Sequence, residues 1–227
     1  MDLTINADNS FIDDSIFVDP NIQAKIFEFN QNGFIIMEKV FSREIIEEFK
    51  TKAMECFREV LEDGILSKGK VLGIGIKNGF KEIVQRHHNR FEMPFKMKEI
   101  GALFFSDNHI IKALISNILG DDYHIVNTSL VISSPGALDQ AWHSDGPHMS
   151  VNEHLPCHCL NVFINLVDVE LENGPTSFRP GSHYLTIDFK NKFMSAFIKK
   201  QLQPIQTPEL KVGDILIVKP FFIYFSK

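Results

Sequence analysis

The sequence predicts an α+β chain whose core is mostly β. Three observations carry that reading. Apolar residues recur at three- and four-residue intervals in the first half, the periodicity of an amphipathic helix. From Tyr123 onward the pattern changes to short β-prone runs separated by turns. The 227 residues, 44% of them hydrophobic, suffice for one sizeable core. Many short strands after a helical lead-in suggest a double-sheet barrel or jelly roll with the N-terminal helices packed on one sheet. The expected organisation is one domain over 1–227, with a loose arm at 1–20, a helical lead-in at 21–120 and the jelly-roll core at 121–227.

The arm is rich in Asp and Asn and has no clear periodicity. A short helix ending near Gly33 then passes into the apolar strand Phe34-Ile35-Ile36-Met37. Ser42 is a good N-cap for the next helix, whose apolar positions are Ile45, Ile46, Phe49, Ala53, Cys56, Phe57, Val60 and Leu61, up to Gly64. Cys56 on that face reads as a packed thiol rather than a nucleophile. Gly73 and Gly75 lack the third glycine of a dinucleotide loop, and Asn78-Gly79 suits a hairpin better. His87-His88-Asn89-Arg90 reads as an ordinary polar loop, with the lining of a substrate mouth as the alternative. Asp107 or Asn108 caps a further helix, Ile110 to Leu119, that stops at Gly120. The β-prone runs are Tyr123 to Ile132, Leu160 to Val169, Ser177-Phe178-Arg179 and Asp214 to Val218.

The net charge of −6 with no concentrated basic patch argues against nucleic acid as a partner. Cys56, Cys157 and Cys159 are too few for a disulfide framework, which points to a reducing compartment. The acidic amino terminus lacks a secretory layout, and no run approaches a membrane span. A cytoplasmic protein acting on a small molecule is the expectation, and oligomeric state is not legible.

Gln140-Ala141-Trp142-His143-Ser144-Asp145-Gly146 contains an H-x-D pair. On a strand, residues two apart project from one face, so His143 and Asp145 can grip one metal ion. They supply two thirds of a two-histidine, one-carboxylate iron site. Cys157-His158-Cys159 with His154 resembles a zinc set only superficially, because no second pair completes four ligands, and the cysteines read as buried strand residues. Trp142, the sole tryptophan, reads as packing beside the site.

Together with Leu160 to Val169 and the segment Glu172-Asn173-Gly174-Pro175-Thr176-Ser177-Phe178-Arg179-Pro180-Gly181-Ser182-His183, this motif resembles the phytanoyl-CoA dioxygenase family. Asn32-Gly33-Phe34 extends the agreement over most of the chain. The resemblance implies a double-stranded β-helix and an Fe(II)- and 2-oxoglutarate-dependent dioxygenase that hydroxylates an aliphatic C–H of a small or lipid-like molecule. It further implies metal ligation by His143 and Asp145, and contacts to the keto acid near Gln140 and Thr128.

The sequence departs from the family pattern at its distal end. Counting from the Gly213-Asp214 turn, the second histidine falls at about Tyr224, no histidine follows His183, and no arginine follows Arg179. The resemblance is therefore to a C-terminally shortened form, with the last strand or strands of the barrel missing and weak binding of Fe(II) and 2-oxoglutarate expected. A phenol is a poor substitute for imidazole, since its ordinary pKa is about 10. His148 and His154 are the loop histidines that a rescue of the site would need, and His183 reads as support for its turn. The competing function class is a catalytically inactive isoform, or a binding or regulatory protein of the same fold.

Overall fold

The computed structural model describes residues 20–62, 84–94, 108–150 and 152–226. Helix α1 (Pro20–Asn32) starts on a proline, which suits a first helical position, and buries Phe29 completely. It stops at Gly33, whose φ of +87° favours glycine. A Cβ there would lie 2.5 Å from both His183 Nδ1 and the Phe222 ring, so the chain must be bare at that point. Strand β1 (Phe34–Met37) follows. Helix α2 (Arg43–Glu62) has the expected cap, Ser42 Oγ accepting from Ile45 N at 3.4 Å. It buries Ile46, Ala53 and Phe57, while Ile45 is 47% exposed.

The expected helical lead-in is only partly helical. Besides β1 it carries a hairpin, β2 (Val84–His87) and β3 (Arg90–Pro94), with Asn89 at φ 54° in the turn. The His87–Arg90 group is therefore the tip of a hairpin. The glycines at 73, 75 and 79 lie outside the described residues, as do the arm at 1–19 and Asp107. Helix α3 (His109–Leu119) is capped by Asn108, whose Oδ1 accepts from Ile111 N at 3.1 Å, and it ends at Gly120.

All strand pairing among the described residues is antiparallel. Strand β7 (Ile215–Val218) lies between β1 and β5 (Asn161–Ile164), with Ile35 opposite Ile217 and Val162 opposite Ile217. A second sheet runs β2-β3-β4, where β4 is Ser129–Ser133, and a ribbon pairs β6 (Thr176–Phe178) with β8 (Tyr224–Ser226). All four residues of β7 are buried because both of its faces are covered. Ile215 and Ile217 join Ile35 in a core with the helices, whereas Leu216 and Val218 join Phe34, Phe178 and Phe222 in an aromatic core on the other side. The N-terminal helices thus pack on one face of the β1-β7-β5 sheet, and the other face looks toward the candidate site.

The turn into β7 is tightly specified. Gly213 has φ +88°, its carbonyl accepts from Val40 N and Phe41 N at 3.1 Å, and a Cβ would meet Phe41 O at 2.2 Å. Asp214 Oδ1 and Oδ2 accept from Lys39 N at 2.8 Å and Lys211 N at 2.7 Å.

Several expectations are corrected. The H-x-D segment is not on a strand. His143 makes an isolated bridge to Tyr224 within an irregular stretch, and the next backbone bond of the segment, Gly146 N to Pro220 O, goes to a loop and not to β8. The run from Tyr123 is extended only over β4, and Cys157 and Cys159 sit in a half-buried loop, not on a strand. Between β6 and β7 the chain forms short helical turns and a one-turn α-helix, α4 (Met194–Ile198), where no element was expected. No helix among the described residues is long and apolar enough to cross a membrane.

Candidate functional site

The H-x-D-G segment is held against the end of the chain by backbone bonds. His143 N donates to Tyr224 O and Tyr224 N to His143 O, both at 3.0 Å, and Gly146 N donates to Pro220 O at 2.8 Å. These contacts place His143 and Asp145 beside β8, as the two-residue spacing intended, without a regular strand.

His143 Nδ1 lies 2.7 Å from the Ala141 carbonyl, so Nδ1 carries the proton and donates, leaving Nε2 with its lone pair. That nitrogen faces Asp145 Oδ1 at 3.5 Å. The other carboxylate oxygen, Oδ2, accepts hydrogen bonds from Asn161 Nδ2 and from the Tyr224 hydroxyl. The His143 and Tyr224 rings are 4.6 Å apart. Tyr224 thus stands beside both candidate ligands, at the place expected for a third.

Charge follows from these contacts. Once Nε2 is protonated it can donate to Asp145, which favours the charged imidazole and raises the His143 pKa, with burial opposing it. Burial acts most strongly on Asp145 and pushes its pKa up, but donation from His143 in its protonated form and from the Tyr224 hydroxyl brings it below the usual carboxylate range. Burial, then the charge of Asp145, pushes the Tyr224 phenol far up, so it is a neutral hydrogen-bond donor at any ordinary pH.

The donors meet part of the requirement of an Fe(II) face. A nitrogen lone pair and a carboxylate oxygen 3.5 Å apart can reach one ion, since two metal bonds of about 2.0–2.2 Å span more than that. The third donor does not fit, because Tyr224 keeps its proton and spends it on Asp145. Among the described residues no group of three or more His, Cys, Asp or Glu side chains is placed to hold a metal.

The loop histidines are engaged elsewhere. Thr186 gives its hydroxyl proton to Phe221 O at 2.7 Å, so His148 Nε2 donates to Thr186 Oγ1, also at 2.7 Å. Burial and the neighbouring histidines push His148 down to about 4. His154 Nε2 donates to Tyr184 O at 2.8 Å. His183 is buried and donates from Nε2 to Asn30 O at 3.0 Å, closing α1 onto its own turn as expected. Cys157 donates to Cys159 O at 3.1 Å, and burial raises its thiol to about 11.

Gln140 accepts from Arg90, which is 4% exposed at the start of β3 and also donates to Leu138 O at 3.4 Å. Thr128 is half-buried just before β4. Neither Thr128 nor Gln140 lines the cavity of about 540 Å³ that opens beside His143. Its walls include Trp142, Arg179, Met194, Phe197 and Ile223. Asn161 and Arg179 were not singled out from sequence. An asparagine opening an otherwise apolar run was the available signal for the first; for the second, only folding brings residue 179 beside residue 142.

Comparison with solved structures finds the same fold in proteins of low sequence identity. The non-haem α-ketoglutarate-dependent epimerase SnoN from nogalamycin biosynthesis matches with a TM-score of 0.63 at 16% identity, over 92% of this chain and 76% of its own. AviO1 from Streptomyces viridochromogenes Tue57 matches with a TM-score of 0.61 at 18% identity, over 92% and 89%. HygX from Streptomyces hygroscopicus, solved with nickel and 2-oxoglutarate bound, matches with a TM-score of 0.59 at 10% identity, over 90% and 80%. At such identities the likeness establishes the fold. The family follows from the sequence: the model of the phytanoyl-CoA dioxygenase (PhyH) family matches residues 29–226, and this chain belongs to that family of Fe(II)- and 2-oxoglutarate-dependent enzymes.

Proposed function

We propose that the chain is a 2-oxoglutarate-dependent oxygenase that hydroxylates an aliphatic C–H of a small or lipid-like molecule, built on a double-stranded β-helix. His143 and Asp145 are its metal ligands, with Tyr224 in the place of the third. The observation that carries the reading is the lone pair of His143 Nε2 turned toward Asp145 Oδ1 at 3.5 Å, at the edge of a cavity. When bound, iron with the keto acid supplies the oxidant that takes hydrogen from a C–H bond.

The protein's own groups then have defined tasks. Ala141 O holds the His143 tautomer, and Asn161 and Tyr224 hold the Asp145 rotamer. Tyr224 also competes with the metal for Asp145, so Fe(II) binding is weak. Gln140, oriented by Arg90, and Thr128 are assigned to the keto acid. The Tyr224 to Asp145 hydrogen bond equally favours a second reading, a non-catalytic binding protein of the same fold.

Anaerobic calorimetry of Fe(II) on the 227-residue chain tests the assignment, with succinate formation from 2-oxoglutarate as the companion assay. The expected result is weak saturable binding that His143→Ala abolishes, with succinate near background. Binding unchanged by His143→Ala removes the metal assignment. Brisk iron-dependent succinate formation removes the weak-site reading.

A further inference from the structure

The cavity beside His143 has an unusual wall. Phe197, Met194 and Ile223 are among its lining residues, and on α4 Phe197 is 56% and Met194 39% exposed. Large apolar side chains standing open around a concavity mark a ligand surface. Among the lining residues one side chain bears a permanent charge, that of Arg179.

Arg179 follows β6 and is anchored by its backbone, N donating to Ile223 O at 3.4 Å. Its guanidinium lies 5.5 Å from the centre of the Trp142 ring, and Nη1 donates to Gln203 O at 3.1 Å. Among the described residues no carboxylate lies within ion-pair distance of it. A guanidinium has five N–H donors in a rigid fork. One carbonyl and one indole face leave most of that fork, and all of its charge, for a ligand anion. The indole holds the plane of the guanidinium, and Phe225 in turn packs on Trp142 with ring centres 5.6 Å apart.

We infer that this cavity binds amphipathic monoanions, organic molecules with an apolar body and a single carboxylate, and that Arg179 on Trp142 selects the carboxylate. The inference deepens the proposed function by naming the substrate class, and it rests on that reading only in taking the cavity as the substrate chamber. The carboxylate pairs with Arg179 while the apolar body lies along Phe197, Met194 and Ile223 toward His143. Neutral molecules of the same length lose the charge-assisted contact, and cations are repelled.

The test uses the whole chain freed of metal with a chelator, so that it does not depend on iron. Trp142, the sole tryptophan, reports occupancy by its fluorescence. Decanoate, 1-decanol and decylammonium are titrated below their aggregation concentrations. Decanoate is expected to bind saturably and at least about tenfold tighter than decanol, with decylammonium weakest. Arg179→Gln should remove that preference by weakening decanoate alone, and Arg179→Lys should keep part of it, with circular dichroism unchanged in both. Equal affinities for acid and alcohol, or a preference that survives Arg179→Gln, overturns the inference. So does displacement of decanoate by equimolar 2-oxoglutarate, which would make Arg179 a keto-acid contact. Failure of the Fe(II) titration with decanoate selectivity intact rejects the metal site and leaves the cavity assignment standing; the reverse pattern rejects only the cavity assignment.

Discussion

Tyr224 and His143 face each other across a two-bond backbone bridge, yet the protein around them is packed very differently. Tyr224 is 6% exposed, in an aromatic core with Phe34, Phe178 and Phe222, where Phe34 and Phe178 stack at 4.4 Å. His143 and Asp145 keep 30% and 33% of their side chains exposed, and no residue of 121–150 is buried. The contrast recurs in the strands, since every residue of β7 is buried while β4 alternates between half-buried and exposed. One half of the candidate site is thus fixed by close packing and the other by a few hydrogen bonds. A tightly held Tyr224 and a more adaptable pair of candidate ligands follow from that difference.

The largest test of the contrast is stability. Phe222→Ala removes a fully buried ring and should cost about 3–5 kcal/mol in urea unfolding. Val131→Ala, at a position 54% exposed on β4, should stay within about 0.5 kcal/mol. Comparable losses would erase the distinction between the two halves.

A smaller effect comes from pH. Burial, then the charge of Lys219, pushes His183 down to about 3, against an ordinary value of about 6.5 in the unfolded chain. Between these values the unfolded chain binds the proton and the folded one does not, so stability falls as pH drops from about 6.5 toward about 3. We expect a loss on the order of 2–4 kcal/mol over that window. His183→Gln, which offers an amide to Asn30 O, should flatten the profile, and a profile of unchanged slope would place the pH sensitivity in the open half.

The ligand exchanges sharpen the comparison further. Tyr224→His should raise Fe(II) affinity at least about tenfold, because a rigidly held imidazole joins the pair and the hydrogen bond to Asp145 disappears. No gain would mean that the packed half does not point its side chain at the metal. Asn161→Ala is the mildest change, releasing one of the two donors on Asp145 Oδ2. It should alter Fe(II) affinity by about two- to tenfold, the range of a single hydrogen bond, as read by calorimetry.

Much of this architecture was readable from local chemistry. Gly33, Ser42, Asn108 and Gly120 bound their helices as capping rules require, and Ile215 to Val218 reads as a doubly covered strand because all four residues are apolar. The H-x-D spacing, with the Asn173-Gly174-Pro175 and Pro180-Gly181-Ser182-His183 segments, identified the family, and the Gly213-Asp214 turn located Tyr224 opposite the pair. Periodicity failed where chain packing overrides it. The hairpin at 84–94 is short and polar, the turns at 182–198 have no single period, and the β-prone residues after Tyr123 are extended only where β3 pairs with them.

By itself, then, the sequence determined the helix caps, the apolar strand from Ile215 to Val218 and the H-x-D spacing that makes His143 and Asp145 candidate metal donors, because each depends on residues within a turn or a strand of one another. Tertiary structure alone decided which proton Tyr224 gives to which carboxylate, that His148, His154 and His183 turn away, that Arg90 reaches Gln140, and that Arg179 lies over Trp142. Those pairings join residues 30 to 153 positions apart. Their partners are chosen by how the two cores close around β7, and no local rule of spacing or propensity encodes that closure.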